Sequence, residues 1–427
     1  MMRPPSAPSW QDRVTAALPL VYLALISVAW PPLALNARLI DLMFPVMAVF
    51  ILVPSPGRWE WRPLDYCVAA YLLSLAPSLW GTDDVRSSIV ELVKRLYLGC
   101  VYVVFVLYFR TTGWSAAGKT LLRAPAAICG VGLAAVGFHA VWGVDAGILG
   151  GASTLPYLGR VLRLTGGSES PAMFANYLTF VLPFIGAAAV FDAVRRMEWI
   201  VAAALVGAGI VFSLTHAIVG FVVAGIAIAW PFLPRPRATA IRGVAVAGVL
   251  MLFVLINAML IVTIRGVEWR HDFDDSVPPP EYAYAFLGDE GAKRLTVQVS
   301  YNFMSYYVLK RAAWDAFLER PWTGVGLGRF PAVAERAYAD GLLHEPYRTA
   351  DPHSTLLGAL AETGIAGALG TAFLLVVALL QAPARRPERW FVVASRAAVL
   401  GLVVNSVNVD IMNFRFLWVA FAGLRDA

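Results

Sequence analysis

Apolar residues run along this chain in blocks separated by short clusters rich in Arg, Pro and Gly. Each block is close to the ~20 residues a helix needs to cross ~30 Å of hydrocarbon. Most are apolar all round, whereas the helices of a large soluble core keep a polar face, so a soluble fold is excluded. The pattern predicts twelve spanning helices: 14–35, 39–53, 64–80, 90–109, 121–142, 172–191, 199–214, 217–232, 240–264, 355–380, 391–404 and 411–424. A helix satisfies its own backbone in lipid, so the expected fold class is all-α, a polytopic membrane protein forming one integral domain over 1–427. The rhythm breaks at 265–352, far longer than an ordinary helix connection. This segment reads as a large external loop containing helices between spans nine and ten. Within it, 301–319 has an amphipathic pattern stopped by Arg320-Pro321.

Composition agrees: 59% of residues are hydrophobic and 15% charged, with mean hydropathy +0.67, against about 25% charged in soluble domains. The net charge of +6 would suggest nucleic acid in a soluble protein. Here it sits on alternate connections, as Arg58/Arg62, Arg110/Lys119, Arg195/Arg196, Arg235/Arg237/Arg242 and Arg385/Arg386/Arg389. The positive-inside rule puts those connections and both termini in the cytoplasm, and 143–171 and 265–352 outside. Cys67, Cys100 and Cys129 all fall in apolar blocks, which indicates neither a disulfide framework nor a cysteine metal site. The first apolar block is too long for a cleavable signal.

Chemistry concentrates where the long loop re-enters the membrane, at Asp351-Pro352-His353-Ser354-Thr355. An imidazole at a water–membrane boundary accepts a proton near neutral pH and suits general-base work; the alternative is an interfacial histidine that only hydrogen-bonds. The stretch from His353 through Glu362-Thr363-Gly364-Ile365-Ala366-Gly367 resembles the signature His-Asn-x-x-Leu…Glu-x-Gly-x-x-Gly of O-antigen ligases and polymerases. Upstream, Arg311…Trp314…Arg320-Pro321-Trp322-Thr323-Gly324-Val325-Gly326 resembles that family's Arg…Trp…Pro-x-x-Gly-x-Gly segment, in the same order. Arg163-Leu164-Thr165-Gly166…Pro171…Asn176 is similar to a third segment, with Ala172 where the family has Asn.

The resemblance implies a metal-independent glycan transferase, without cofactor, whose site lies on the periplasmic face of a bacterial inner membrane. A histidine activates the acceptor hydroxyl and arginines hold the donor's diphosphate, which maps to His353 as base and Arg311 and Arg163 as phosphate ligands. A guanidinium suits phosphate because its planar fork donates two parallel charge-assisted bonds. The alternatives are a solvated residue on the loop helix for Arg311 and an interfacial anchor for Arg163. His216, in Ser213-Leu214-Thr215-His216, stands where relatives carry a phosphate-binding Arg. It would serve that role well only when protonated, unless Arg265 or Arg270 substitutes.

Three other patterns read as structural. Gly324-Val325-Gly326-Leu327-Gly328 follows no strand and is a turn rather than a nucleotide loop. His271, Asp272, Asp274 and Asp275, and separately Asp83-Asp84, read as solvated acidic loops rather than cation sites.

Outside the cytoplasm there are no nucleotide sugars, so a glycosyl donor must arrive activated and membrane-held; an undecaprenyl-diphosphate-linked glycan fits. Attack by an acceptor hydroxyl, from lipid A–core or a second lipid-linked glycan, expels the diphosphate and inverts the anomeric centre. Ligase, polymerase and protein oligosaccharyltransferase remain alternatives, as do, in other classes, a lipid-linked glycan transporter or flippase and a non-enzymatic assembly partner.

Overall fold

The computed structural model describes residues 10–29, 38–53, 59–112, 114–143, 149–155, 159–192, 194–229, 303–343, 347–381 and 390–425. In chain order the helices are α1 (Trp10–Leu25), α2 (Leu39–Leu52), α3 (Pro63–Ser74), α4 (Val85–Thr112), α5 (Trp114–Trp142), α6 (Pro171–Phe191), α7 (Arg196–Ser213) and α8 (Ile218–Ala229). After 230–302 come α9 (Phe303–Glu319), α10 (Phe330–Ala339), α11 (Thr355–Leu380), α12 (Trp390–Asn405) and α13 (Arg415–Leu424). Among the described residues the all-helical expectation meets one exception, a two-stranded antiparallel hairpin of β1 (Leu149–Leu155) and β2 (Gly159–Leu164), with Thr154 opposite Arg160.

Among the described residues, five helices are long and apolar enough to cross a membrane: Val85–Thr111, Ala117–Trp142, Pro171–Val190, Arg196–Ser213 and Thr355–Leu380. Shorter apolar helices cover Arg13–Leu25, Leu39–Leu52, Ile218–Ala229, Trp390–Asn405 and Arg415–Leu424. The span expected at 240–264, with Arg265, Arg270 and the 271–275 cluster, lies outside the described residues.

The core lies where α6, α8 and α12 pack together, closed by α4 and α13. Phe180, Phe184, Phe391, Phe416 and Trp418 are buried there. α8 meets α12 backbone to backbone: a Cβ on Gly220 would stand 2.2 Å from the Gly401 carbonyl oxygen. Small residues permit such approaches, which bring helices together in lipid.

Three buried or half-buried ion pairs join charges in or beside the apolar segments. Arg415 donates to Asp41 at 2.7 Å, Arg95 to Asp410 at 3.2 Å, and Arg425 to Asp65 at 2.8 Å. Breaking one partner of such a pair costs about 3–5 kcal/mol, because the other charge stays buried and alone. The pairs also register the helix ends. Arg425 and Arg110 lie over the Trp59 ring, and Arg123 meets Glu198, at the ends of α3, α4, α5, α7 and α13. The opposite ends of α4, α7 and α13 border a cavity.

Candidate functional site

A cavity of about 1250 Å³ opens on this second face. Its walls are helix ends: the start of α2, the first half of α4, β2 with the turn into α6, the α7–α8 junction, one side of α9, and the connections before α11 and α13. His353, His216, Arg163 and Lys310 all line it.

His353 is held by local backbone chemistry. Its N–H donates to Asp351 Oδ1 at 2.8 Å, and its Nδ1 stands 3.5 Å from the same oxygen. Its φ is +46°, a left-handed conformation that costs a non-glycine residue roughly 1–2 kcal/mol. The next residues secure it: Thr355 N–H donates to Ser406 O at 2.8 Å and Thr355 Oγ1 to Val409 O at 2.9 Å. The His353 ring donates to the Asn408 carbonyl. Burial pushes the His353 pKa below its ordinary value, against the raising influence of Asp351, while the Lys310 ammonium pushes it further down. The ring is therefore neutral at pH 7 and has a lone pair to take a proton.

His216 follows the left-handed C-cap Leu214 of α7 (φ 49°). Burial first, then the cations Arg163 and Lys310, lower its pKa. These effects act in one direction and favour the neutral ring of His216. In that form its ring offers a ligand a neutral hydrogen bond.

Arg163 donates through Nε to Ser213 O at 3.0 Å and through Nη2 to Leu214 O at 3.1 Å. It caps the carbonyl end of α7, where a cation is favoured, and lines the cavity from there.

Arg311 is placed differently from expectation. Its Nε bonds both Asp315 oxygens at 3.0 Å on the exposed side of α9, its side chain is 63% exposed, and it does not line the cavity. Successive helix residues are rotated by ~100°, and the preceding residue, half-buried Lys310, faces inward, with Nζ 2.7 Å from Asn408 Oδ1. Burial lowers the Lys310 pKa. Leu309, Ala313 and Ala316 are buried whereas Trp314 and Leu318 are exposed, so the Arg311–Asp315 spacing of four already marked an outward face. Asn408 carried no such signal.

The glycine-bearing motifs form one joint. Val325 N–H donates to Ala361 O at 2.8 Å, Gly326 N–H to Glu362 O at 3.0 Å, and Ile365 N–H to Pro321 O at 2.9 Å. Gly364 breaks the α11 helix with φ 64°, ψ −163°, where a Cβ would stand 2.5 Å from the Trp322 backbone. The Glu362 side chain accepts from Phe330 N–H at 3.0 Å, at the start of α10. Asp84 meets Arg329 at 3.1 Å and Asp83 meets Arg320 at 3.6 Å, so both aspartates belong to this joint, outside the cavity wall.

A helical, membrane-embedded protein with a base-competent histidine and cations at one mouth has the groups a glycan transferase needs. Residues 199–372, less than half of the chain, match the family model described as O-Antigen ligase. That match supports the O-antigen ligase and polymerase family, and with it glycan transfer of this type on lipid-linked substrates. No curated protein matches the chain. The matched stretch includes His216, Lys310, Arg311 and His353; Arg163 and Asn408 lie outside it.

Proposed function

We propose that the chain transfers a glycan from an undecaprenyl-diphosphate-linked donor to an acceptor hydroxyl, with inversion, on the outer face of the bacterial inner membrane. The carrying observation is that one cavity gathers a neutral His353 with Lys310, Arg163 and His216. His353 takes the acceptor proton as the hydroxyl attacks the anomeric carbon. Lys310 and Arg163 stabilise the charge growing on the departing diphosphate, and the neutral His216 adds a hydrogen bond. Lys310 takes the role that the family resemblance gave to Arg311.

The cavity wall supports a lipid-held donor. Phe44, Pro45, Ile89 and Val93 line it between α2 and α4, and Ile89 and Val93 are exposed. The polyprenyl chain leaves the cavity there, while the diphosphate stays at the cations. Both termini are cytoplasmic and the site is periplasmic, a reading supported by Arg110, Arg123, Arg195 and Arg425 at the helix ends remote from the cavity. Twelve spans form one integral domain, with 265–352 as its external loop. The acceptor is lipid A–core or a second lipid-linked glycan. A flippase would carry its polar groups to mid-membrane between matched halves, whereas this cavity is built from helix ends at one boundary.

The test is transfer by purified protein from labelled undecaprenyl-diphosphate glycan to each acceptor in turn. Product with one acceptor supports the reading and names the acceptor. Donor crossing the bilayer of proteoliposomes without transfer replaces it with the flippase.

A further inference from the structure

Asn408 lies in the turn between α12 and α13 and touches two groups assigned above. Its side-chain Oδ1 accepts from Lys310 Nζ at 2.7 Å, and its backbone carbonyl accepts from the His353 ring. The turn that presents it is held on several sides. Asn408 N–H donates to Asn405 O at 2.9 Å, and Ile411 N–H to Thr355 Oγ1 at 3.0 Å. Asn405 is itself buried, donating to Asn176 Oδ1 on α6 at 2.8 Å and accepting from Gly220 N–H on α8 at 2.9 Å. Asn408 therefore stands on backbone tied to the core and to the start of α11.

The chemistry of an amide suits this position. An ammonium has three N–H donors, and one placed on Asn408 leaves two for a ligand. Pinning a long lysine side chain before the ligand arrives removes an ordering cost from binding. A neutral oxygen does so without cancelling the positive charge, whereas a carboxylate of the same shape would compete with phosphate for it. Asp351, from the connection before α11, acts on His353 beside Lys310, and Arg163 from β2 acts with Lys310 on the neighbouring His216. Asp410, two residues along the turn, is committed to Arg95.

We propose that Asn408 is a positioning residue of the transfer reaction, holding the Lys310 ammonium towards the donor's diphosphate and the His353 ring in register with it. This rests on the assignment of Lys310 as a diphosphate ligand and His353 as the base. The side-chain half is tested by binding of undecaprenyl diphosphate to the full chain in nanodiscs at pH 8, where His353 is neutral. Asn408→Asp keeps the shape and the acceptor and adds a charge; it weakens binding roughly tenfold while the thermal midpoint stays in place. Asn408→Leu weakens binding several-fold, and adding it to Lys310→Met causes no further loss, because the two side chains act as a unit. Wild-type binding by Asn408→Asp, or independent addition of the Asn408→Leu and Lys310→Met losses, overturns the proposal. If Lys310→Met weakens binding but neither Asn408 variant does, this inference alone falls. If Lys310→Met binds normally, the assignment of Lys310 falls and takes the inference with it.

Discussion

Removing the charge at Lys310 and at Arg311, one at a time, separates two adjacent cations that the fold sends to different places. Lys310 is half-buried in the cavity wall beside Asn408. A hydrogen bond from such a group to a charged phosphate is worth about 1.5–3 kcal/mol, or roughly 10- to 150-fold in affinity at ~1.4 kcal/mol per tenfold. Lys310→Met keeps the length and apolar stem, so donor binding falls by that factor in a folded protein. Arg311 is 63% exposed and paired within its own helix with Asp315. Losing an exposed pair four residues apart costs about 0.3–0.5 kcal/mol of stability, and because Arg311 does not line the cavity, Arg311→Met leaves donor affinity nearly unchanged. The assay is equilibrium binding of labelled undecaprenyl-diphosphate glycan in nanodiscs, with circular dichroism as the folding control. A loss at Arg311→Met equal to that at Lys310→Met refutes the placement of the phosphate site on the Lys310 side of α9.

Turnover should depend on pH through neutral His353: it rises with pH through a value below 6.5 and is flat above pH 7. Asp351→Asn removes the carboxylate that raises this pKa and shifts the limb to lower pH; Lys310→Met removes a cation that lowers it and shifts the limb up. A limb that neither variant moves assigns the titration to another group. Gly364→Ala puts a Cβ against the Trp322 backbone at a positive φ and should cost about 1–3 kcal/mol, lowering the thermal midpoint in detergent. Gly137→Ala, with open space around its Cβ, should not lower it; equal midpoints for the two variants would contradict the interlocked joint. On a background lacking Cys67, Cys100 and Cys129, a single cysteine at Leu342 should react with an impermeant reagent from outside and one at Arg196 should not. The reverse pattern inverts the orientation.

Helices α2 to α8 and α11 to α13 fall where apolar blocks predicted spans, because lipid demands long apolar runs and the sequence records them directly. Ends moved in both directions: α4 starts at Val85 rather than at 90, because Arg86, Ser87 and Ser88 continue the helix, and the 411–424 helix begins later, at Arg415. His353 was legible from its motif and from its place beside a span. The outward side of Arg311 is legible from Asp315 four residues on, with which it pairs on the exposed face of α9. The charge state of His216 was not legible, since burial and the neighbours that set it come from β2, α9 and the start of α11. Asn408 likewise became visible only when the fold brought the α12–α13 turn under His353. The β1–β2 hairpin lay in a glycine-rich connection whose pattern matched no helix, and it was read only as an external loop.

The account stands most directly on His353 as the base. The measurement is single-turnover transfer by His353→Ala alongside its donor affinity, in protein shown to be folded. General-base catalysis is typically worth about 10²–10⁴-fold, so the rate should fall by that order with donor binding nearly unchanged, because the lost interaction belongs to the transition state. A variant that keeps a near-normal rate contradicts the account. One that folds but no longer binds donor makes His353 a phosphate ligand and passes the search for the base to His216.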